Sequence, residues 1–284
     1  IYAYYAYILQ SAYENKLKKL EISGPIAYRK LGKCNIEFAY EAFEYIKKIK
    51  EGIAIAADVS DFFGSLNHKF LKNRWSSILD IGTKSLLPED HYAVYKAITK
   101  YSYIRKDSLC EKLDISKSQQ RKKIIQFCCI PKFRCLAREY NDLILTNRRD
   151  EAIGIPQGSP ISAILSNIYM IDFDITLSKI AVEKGSFYRR YSDDILVICK
   201  KEDKDFFIRL IGDLLDREKL KENKDKQIIS EIECNNEKKI VSPPLQYLGF
   251  IYDGQRMLVR SSTIARQKRR ALQAIRSASR AAKK

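Results

Sequence analysis

The chain has 284 residues, 45% of them hydrophobic, and a formal charge of +17 from 52 Lys and Arg against 35 Asp and Glu. That apolar share excludes wholesale disorder, and the length allows one large domain or two modest ones. The charge attracts polyanions, nucleic acid first; no stretch is apolar for long enough to span a bilayer, and a cytoplasmic protein without a secretory leader or a membrane role is expected.

The seven cysteines form no Cys-x-x-Cys pair and only two histidines are present. A zinc site and a disulfide scaffold are both disfavoured, so reduced, partly buried thiols are expected. The chain opens on Ile1 and closes on Ala281-Ala282-Lys283-Lys284, and further sequence at one or both ends is expected.

In chain order, residues 1–20 lack Gly and Pro, and Tyr2, Tyr5, Ile8, Leu9 and Tyr13 recur at helical spacing, which predicts a packing helix. After the breaker Ser23-Gly24-Pro25, the stretch 27–33 sets Arg29, Lys30 and Lys33 around a glycine. It is read either as a phosphate cradle or as a solvated basic loop. An amphipathic helix follows at 35–50, with Ile36, Ala39, Phe43, Ile46 and Ile49 on its apolar face. The run 53–59 is almost continuously apolar and predicts a strand buried on both faces. It ends in Asp58, followed by Asp61, Phe62 and Phe63. A carboxylate there is costly unless it is paired or binds metal; the bland alternative is a helix N-cap.

Residues 67–150 read as helical and basic, with clusters Lys69/Lys72/Arg74, Lys117/Arg121/Lys122/Lys123 and Arg134/Arg138/Arg148/Arg149. Such clusters favour contact with a nucleic-acid backbone. His68 and His91 have no ligand-like neighbours in sequence and are assigned no chemistry. Gly154-Ile155-Pro156-Gln157-Gly158-Ser159-Pro160 is a loop feeding a helix over 161–177. Its backbone N–H groups can approach a nucleotide, and Gln157 can orient one by hydrogen bonding. At 187–199, apolar and aromatic residues flank Tyr191-Ser192-Asp193-Asp194, which predicts a hairpin with carboxylates at its tip. Two strands ending in Asp58 and Asp193 can gather hard oxygen ligands around a divalent pair, as phosphoryl transfer requires. A second amphipathic helix is read at 203–221, a polar turn at 223–226, and Tyr247-Leu248-Gly249-Phe250-Ile251-Tyr252 as a strand interrupted by a glycine. Asp253-Gly254 signals a hairpin. Ser261-Ser262 caps a last helix rich in Arg266, Lys268, Arg269, Arg270, Arg276 and Arg280.

Each motif alone is weak. Together, Asp58 with its Phe62-Phe63, the Pro-Gln-Gly-Ser-Pro loop, Tyr-Ser-Asp-Asp and Tyr-Leu-Gly-Phe stand in an order that resembles a reverse transcriptase. The resemblance extends over residues 27–66 and 151–260 and is strongest to bacterial group II intron, retron and defence-associated, abortive-infection-like enzymes. It implies an α+β right-hand polymerase with an antiparallel-sheet palm, mostly helical fingers and a basic helical thumb. The implied divisions are an N-terminal fingers segment (1–52), a first palm strand (53–66), a basic helical fingers insertion (67–150), the main palm (151–252) and the start of a thumb (253–284). It implies two Mg²⁺ ions, replaceable by Mn²⁺, on Asp58, Asp193 and Asp194, with Lys226 protonating the pyrophosphate leaving group. Phe63 would exclude a ribose 2′-hydroxyl, and Asp61, Phe62, Gln157 and Gly158 would line the dNTP pocket. Arg29, Lys30 and Lys33 are candidates for the triphosphate, although the usual upstream Lys/Arg pair is not evident. Tyr191, Ser192, Tyr247, Leu248, Gly249, Phe250, Arg266, Arg269 and Arg270 would face primer and template. The expected partners are an RNA template, dNTPs, a DNA product and a second copy of the chain. Antiphage defence with a dedicated non-coding RNA is the expected role. Template-independent or protein-primed synthesis, a non-catalytic RNA-binding scaffold and a nucleotidyl cyclase are the competing readings.

Overall fold

The computed structural model describes residues 1–79, 86–116, 126–147, 152–235 and 238–282, with Arg280 described by its backbone alone. Lys117, Arg121, Lys122, Lys123, Arg148 and Arg149 lie outside these residues. The strands in chain order are β1 (Gly52–Asp58), β2 (Ser102–Tyr103), β3 (Leu145–Thr146), β4 (Phe187–Tyr191), β5 (Asp194–Cys199), β6 (Ile228–Asn235), β7 (Lys238–Ser242), β8 (Leu245–Tyr247), β9 (Phe250–Tyr252) and β10 (Met257–Val259).

β1 is the apolar run expected at 53–59, and it occupies the centre of a five-stranded sheet of order β4-β5-β1-β6-β7. Every pairing in that sheet is antiparallel. Strand side chains alternate between faces, and β1 feeds two cores. Ile53, Ile55 and Ala57 join Ile195, Val197 and Cys199 of β5 in the larger one, against helices Tyr2–Lys19, His68–Ile78, Ser162–Tyr169, Ile171–Glu183 and Lys204–Arg217. Ala54 joins Leu196 and Ile198 in the smaller one, against helix Asn35–Lys48 and the β8–β10 sheet. Burial on both faces is why β1 carries no polar alternation.

Several local expectations change. On helix Asn35–Lys48 the buried side chains are Phe38, Ala39, Ala42, Phe43 and Ile46, and Ile36 is exposed. The run 161–177 breaks at Met170 into two helices. The Tyr247–Tyr252 stretch is not one strand. β8 and β9 fold back on each other, pairing Tyr247 with Phe250. Leu248 and Gly249 have φ of 48° and 90°, the positive pair that a tight two-residue hairpin turn needs. Ser261 lies inside the last helix, Ser261–Ala281; Arg260 takes the N-cap position, with no side-chain cap.

Beneath β4 lies a buried ion pair. Arg190 and Asp174 are each fully buried. The Arg190 Nε and Nη2 donate to the two Asp174 oxygens at 2.7 and 2.6 Å, and Tyr188 Oη donates to Asp174 Oδ1 at 2.6 Å. Arg190 Nη1 donates to the Ser192 carbonyl at 2.8 Å, so the fork braces the turn that follows β4. A second network joins Arg74, buried in part, to Asp172 and Glu218 and lays it over Phe70 and Tyr169. Arg74, a member of one of the basic clusters expected to favour nucleic-acid contact, therefore serves packing between helices.

Removing one member of a buried pair leaves an uncompensated charge. Asp174→Ala is expected to cost about 3–5 kcal/mol in urea unfolding. Glu41→Ala, which breaks a more exposed pair with Lys33, is expected to cost less than about 1 kcal/mol.

Candidate active site

Three chain segments meet where β1 ends. Asp58 pairs across the sheet with Asp194, so the two side chains leave the same face. Asp193 occupies the β4–β5 turn, and its carbonyl accepts from Val59 N at 3.3 Å. Ser192, before it, has φ 60°, an uncommon conformation for a non-glycine residue and one that cores tolerate only when neighbours enforce it. Arg190 supplies that enforcement from below. On the other side of β1, Asn223 N donates to the Asp58 carbonyl at 2.8 Å, and Ser60 N donates to the Lys221 carbonyl at 2.8 Å. These bonds dock the 223–226 turn, and Lys226 Nζ reaches the Asp58 carboxylate at 2.7 and 3.2 Å.

A cleft of about 240 Å³ is lined by Asp58, Asp61, Phe62, Phe63, Gln157, Ser192, Asp193 and Lys226, with Tyr28 and Asn223 beside them. Phe62 is buried in the main core while Phe63 is half-buried, the rings meeting edge to face at 5.4 Å. Gln157 and Gly158 are exposed. Gly158 has φ +90°, and a Cβ there would meet nothing within 4 Å. A second cleft, of about 290 Å³, is lined by Asp194, Tyr191, Tyr247, Leu248, Gly249, Phe250 and Arg260 among others. Tyr247 is buried, and its hydroxyl has no hydrogen-bond partner among the described residues. The acidic cluster is thus shared between two adjoining clefts.

Electrostatically the cluster is crowded. Loss of hydration, then the charges of Asp193 and Asp58, push the Asp194 carboxyl up to about 6. The Asp58 hydrogen bond holds the Lys226 ammonium above its ordinary value. Mutually repelling carboxylates with a cation already drawn to one of them are the donors a hard divalent ion suits. No group of three or more His, Cys, Asp or Glu side chains among the described residues forms a ready cage. An open pair of carboxylates, completed by substrate phosphates, is the usual way Mg²⁺ is held.

The predicted triphosphate cations sit elsewhere. Arg29 donates to Glu14 through Nε and Nη2 and to the Pro25 carbonyl, and Lys33 pairs with Glu41; Lys30 is exposed. None of the three lines the cleft. Arg266, Arg269 and Arg270 lie exposed on the last helix. Tyr28, which sequence reasoning passed over, donates to Ser192 Oγ at 3.3 Å; its only sequence signal was its place beside the basic loop. Asn223 had no signal beyond a polar turn.

Residues 6–252 match the protein family described as "Reverse transcriptase (RNA-dependent DNA polymerase)". The chain belongs to the reverse transcriptase family. Its fold is similar to the apo telomerase of Candida tropicalis, with TM-score 0.53 and 15% identity over 90% of this chain and 40% of that one. It is also similar to Candida albicans telomerase in complex with a TWJ fragment of telomeric RNA, with TM-score 0.51 and 12% identity over 90% and 39%. The reverse transcriptase chain described here therefore spans about 40% of the length of that first relative. At these identities the likeness shows the fold, a right-hand polymerase with an antiparallel palm, helical fingers and a basic helix in the thumb position.

Because Lys226 competes for Asp58, Lys226→Met is expected to tighten Mn²⁺ binding about tenfold, the effect of deleting one nearby positive charge in a partly screened site. An electron-paramagnetic-resonance titration of free Mn²⁺ checks this.

Proposed function

We propose that this reverse transcriptase is an RNA-directed DNA polymerase, adding dNTPs to a primer 3′-hydroxyl on an RNA template. The observation that carries the reading is the gathering of Asp58, at the end of β1, with Asp193 in the β4–β5 turn and Asp194 at the start of β5, beside a cleft walled by Phe63 and Gln157. Asp58 and Asp193 would hold two Mg²⁺ ions, with Mn²⁺ as a substitute, and Asp194 would complete the cluster. When bound, such ions stabilise the attacking and leaving oxygens of an in-line phosphoryl displacement.

The chain's own residues supply the rest. Phe63 blocks the space a ribose 2′-hydroxyl needs, by van der Waals overlap that rises steeply over fractions of an ångström. Gln157 and the open backbone at Gly158 receive the nucleotide. Asp61 and the buried Phe62 fix the turn that carries Phe63. Lys226 holds a proton beside Asp58 and delivers it to the pyrophosphate oxygen, help worth about 10²–10⁴-fold. The second cleft takes the primer end: Tyr191, Tyr247 and Phe250 line it, the Leu248-Gly249 turn supports it, and Ser192 borders the adjoining nucleotide cleft. Arg266, Arg269 and Arg270 meet duplex phosphates, which contributes affinity without base specificity. Lys30, exposed, is the one of the three upstream cations left without a recorded carboxylate partner among the described residues. The segments 1–52 and 67–150 serve as fingers, 53–66 and 151–252 as palm and 253–284 as the start of a thumb.

The biological role we propose is copying of a dedicated non-coding RNA in bacterial antiphage defence, and the ordered motifs support it. Protein-primed or template-independent synthesis is a second reading, favoured by the exposed Tyr4 and Tyr7 of the first helix, whose hydroxyls are open to modification.

Primer extension tests the proposal. Wild-type protein is expected to extend a DNA primer on RNA with dNTPs and Mg²⁺, and Asp58→Asn or Asp193→Asn to lose at least about 10²–10³-fold, the scale of removing one electrostatic anchor of a transition state. Unchanged incorporation in either variant overturns it. Product that forms without template, or stays attached to the protein, selects the second reading.

A further inference from the structure

Both walls of the nucleotide cleft hang from one short ladder. Phe63 lies in the turn Phe62–Ser65, and Gln157 lies in the loop that follows Gly154. Ile155 N donates to the Phe63 carbonyl at 2.9 Å, Gly154 N donates to the Leu66 carbonyl at 2.8 Å, and His68 N donates to the Ala152 carbonyl at 2.8 Å. Asn67 and Ile153 form an antiparallel bridge between them. Gly154 is essential to this approach: its φ is +86°, and a Cβ there would stand 2.8 Å from the Gly64 carbonyl oxygen. Phe63 and Gln157 therefore cannot move independently of the ladder.

Two buried side chains clamp the ladder from behind, on the Gly154 carbonyl. His68 Nε2 lies 2.7 Å from that oxygen. A carbonyl only accepts, so Nε2 carries the proton. Asn147 Nδ2 donates to the same oxygen at 3.2 Å, to the Ile153 carbonyl at 3.1 Å and to the Thr99 carbonyl at 3.2 Å. His68 and Asn147 are 9% and 8% exposed, too buried to touch substrate. Their own backbones are fixed in turn: the His68 carbonyl accepts from Tyr95 Oη at 2.9 Å, and Asn147 N donates to the Tyr101 carbonyl at 2.8 Å. A buried acceptor deprived of its donor costs free energy and draws its segment toward another partner. Losing either side chain leaves the Gly154 carbonyl with one side-chain donor in place of two, and Phe63 and Gln157 shift with the loosened ladder.

We infer that His68 and Asn147 are positioning residues that set the gap between Phe63 and Gln157, and so fix how strongly a deoxyribonucleotide is preferred over a ribonucleotide. The inference rests on the polymerase reading and on Phe63 as the wall that excludes the 2′-hydroxyl. It assigns chemistry to two residues that touch neither metal nor nucleotide.

The test is single-nucleotide incorporation on a primed RNA template, comparing kcat/KM for dGTP and GTP in each variant. The ratio of the two is unaffected by the fraction of protein that is folded. His68→Ala and Asn147→Ala are each expected to lower the dGTP preference about tenfold or more, chiefly through a higher KM for dGTP. His68→Gln, which keeps a side-chain N–H donor, is expected to restore most of it. In a Phe63→Ala background, where the wall is gone, His68→Ala is expected to change the ratio by less than twofold, because coupled residues are not additive. A ratio that stays within twofold of wild type in both alanine variants overturns the inference, as does an undiminished His68→Ala effect in the Phe63→Ala background. Where an alanine variant gives no folded protein, His68→Leu and Asn147→Leu, which likewise lack a side-chain donor, are read in the same way. If Phe63→Ala itself leaves the ratio unchanged, the gate assignment fails and the inference falls with it. If wild type incorporates neither nucleotide, the polymerase reading is what has failed.

Discussion

Everything at the site depends on the register between β1 and β5. Six consecutive pairings run from Ile53 opposite Cys199 to Asp58 opposite Asp194. A slip of one residue would turn Ile55 and Ala57 out of the larger core and push Ala54 and Ala56 into it. Burial on both faces forbids that slip, so the same apolar packing that stabilises the sheet also fixes where two carboxylates meet. The Arg190–Asp174 pair then fixes the third. It holds the Ser192 carbonyl, and with it a turn whose left-handed residue has no intrinsic preference for that shape. Buried ion pairs contribute little net stability but can select one conformation over its neighbours, and here the selected conformation is the one that presents Asp193.

The charge distribution has two levels. Over the whole chain the excess of 17 positive charges attracts polyanions, and Arg266, Arg269, Arg270 and Arg276 of helix Ser261–Ala281 are exposed. Within a few ångströms of the β1 end the sign reverses, because Asp58, Asp193 and Asp194 converge with Lys226 as their nearest cation. A basic exterior around an acidic centre is a sensible arrangement for handling phosphates that must be bound broadly and reacted at one point.

The palm was legible because its signals are local and periodic. The continuous run at 53–59 and the aromatic and aliphatic flanks of Tyr191–Asp194 each encode a strand, and the ordered spacing of four motifs encodes how they meet. The Tyr247–Tyr252 hairpin was misread because its turn is made by Leu248 and Gly249 and lacks the Asn-Gly or Asp-Gly pair that marks such turns. The cations were the hardest to place. Arg29 with Glu14, Lys33 with Glu41 and Arg74 with Glu218 pair residues that only the fold brings together, so a cluster of positive charges in sequence does not reveal which are free. His68 looked inert for the same reason: its partner, the Gly154 carbonyl, lies 86 positions away.

The central claim is that the three aspartates form one divalent-ion site at the mouth of the nucleotide cleft. Anomalous scattering from crystals grown with Mn²⁺ and a non-hydrolysable dNTP tests it most directly. The account predicts Mn²⁺ peaks within coordination distance of Asp58 and Asp193, with the Lys226 ammonium displaced from Asp58 toward the phosphates. Mn²⁺ bound elsewhere, or Lys226 still paired with Asp58 beside an ordered nucleotide, would contradict it.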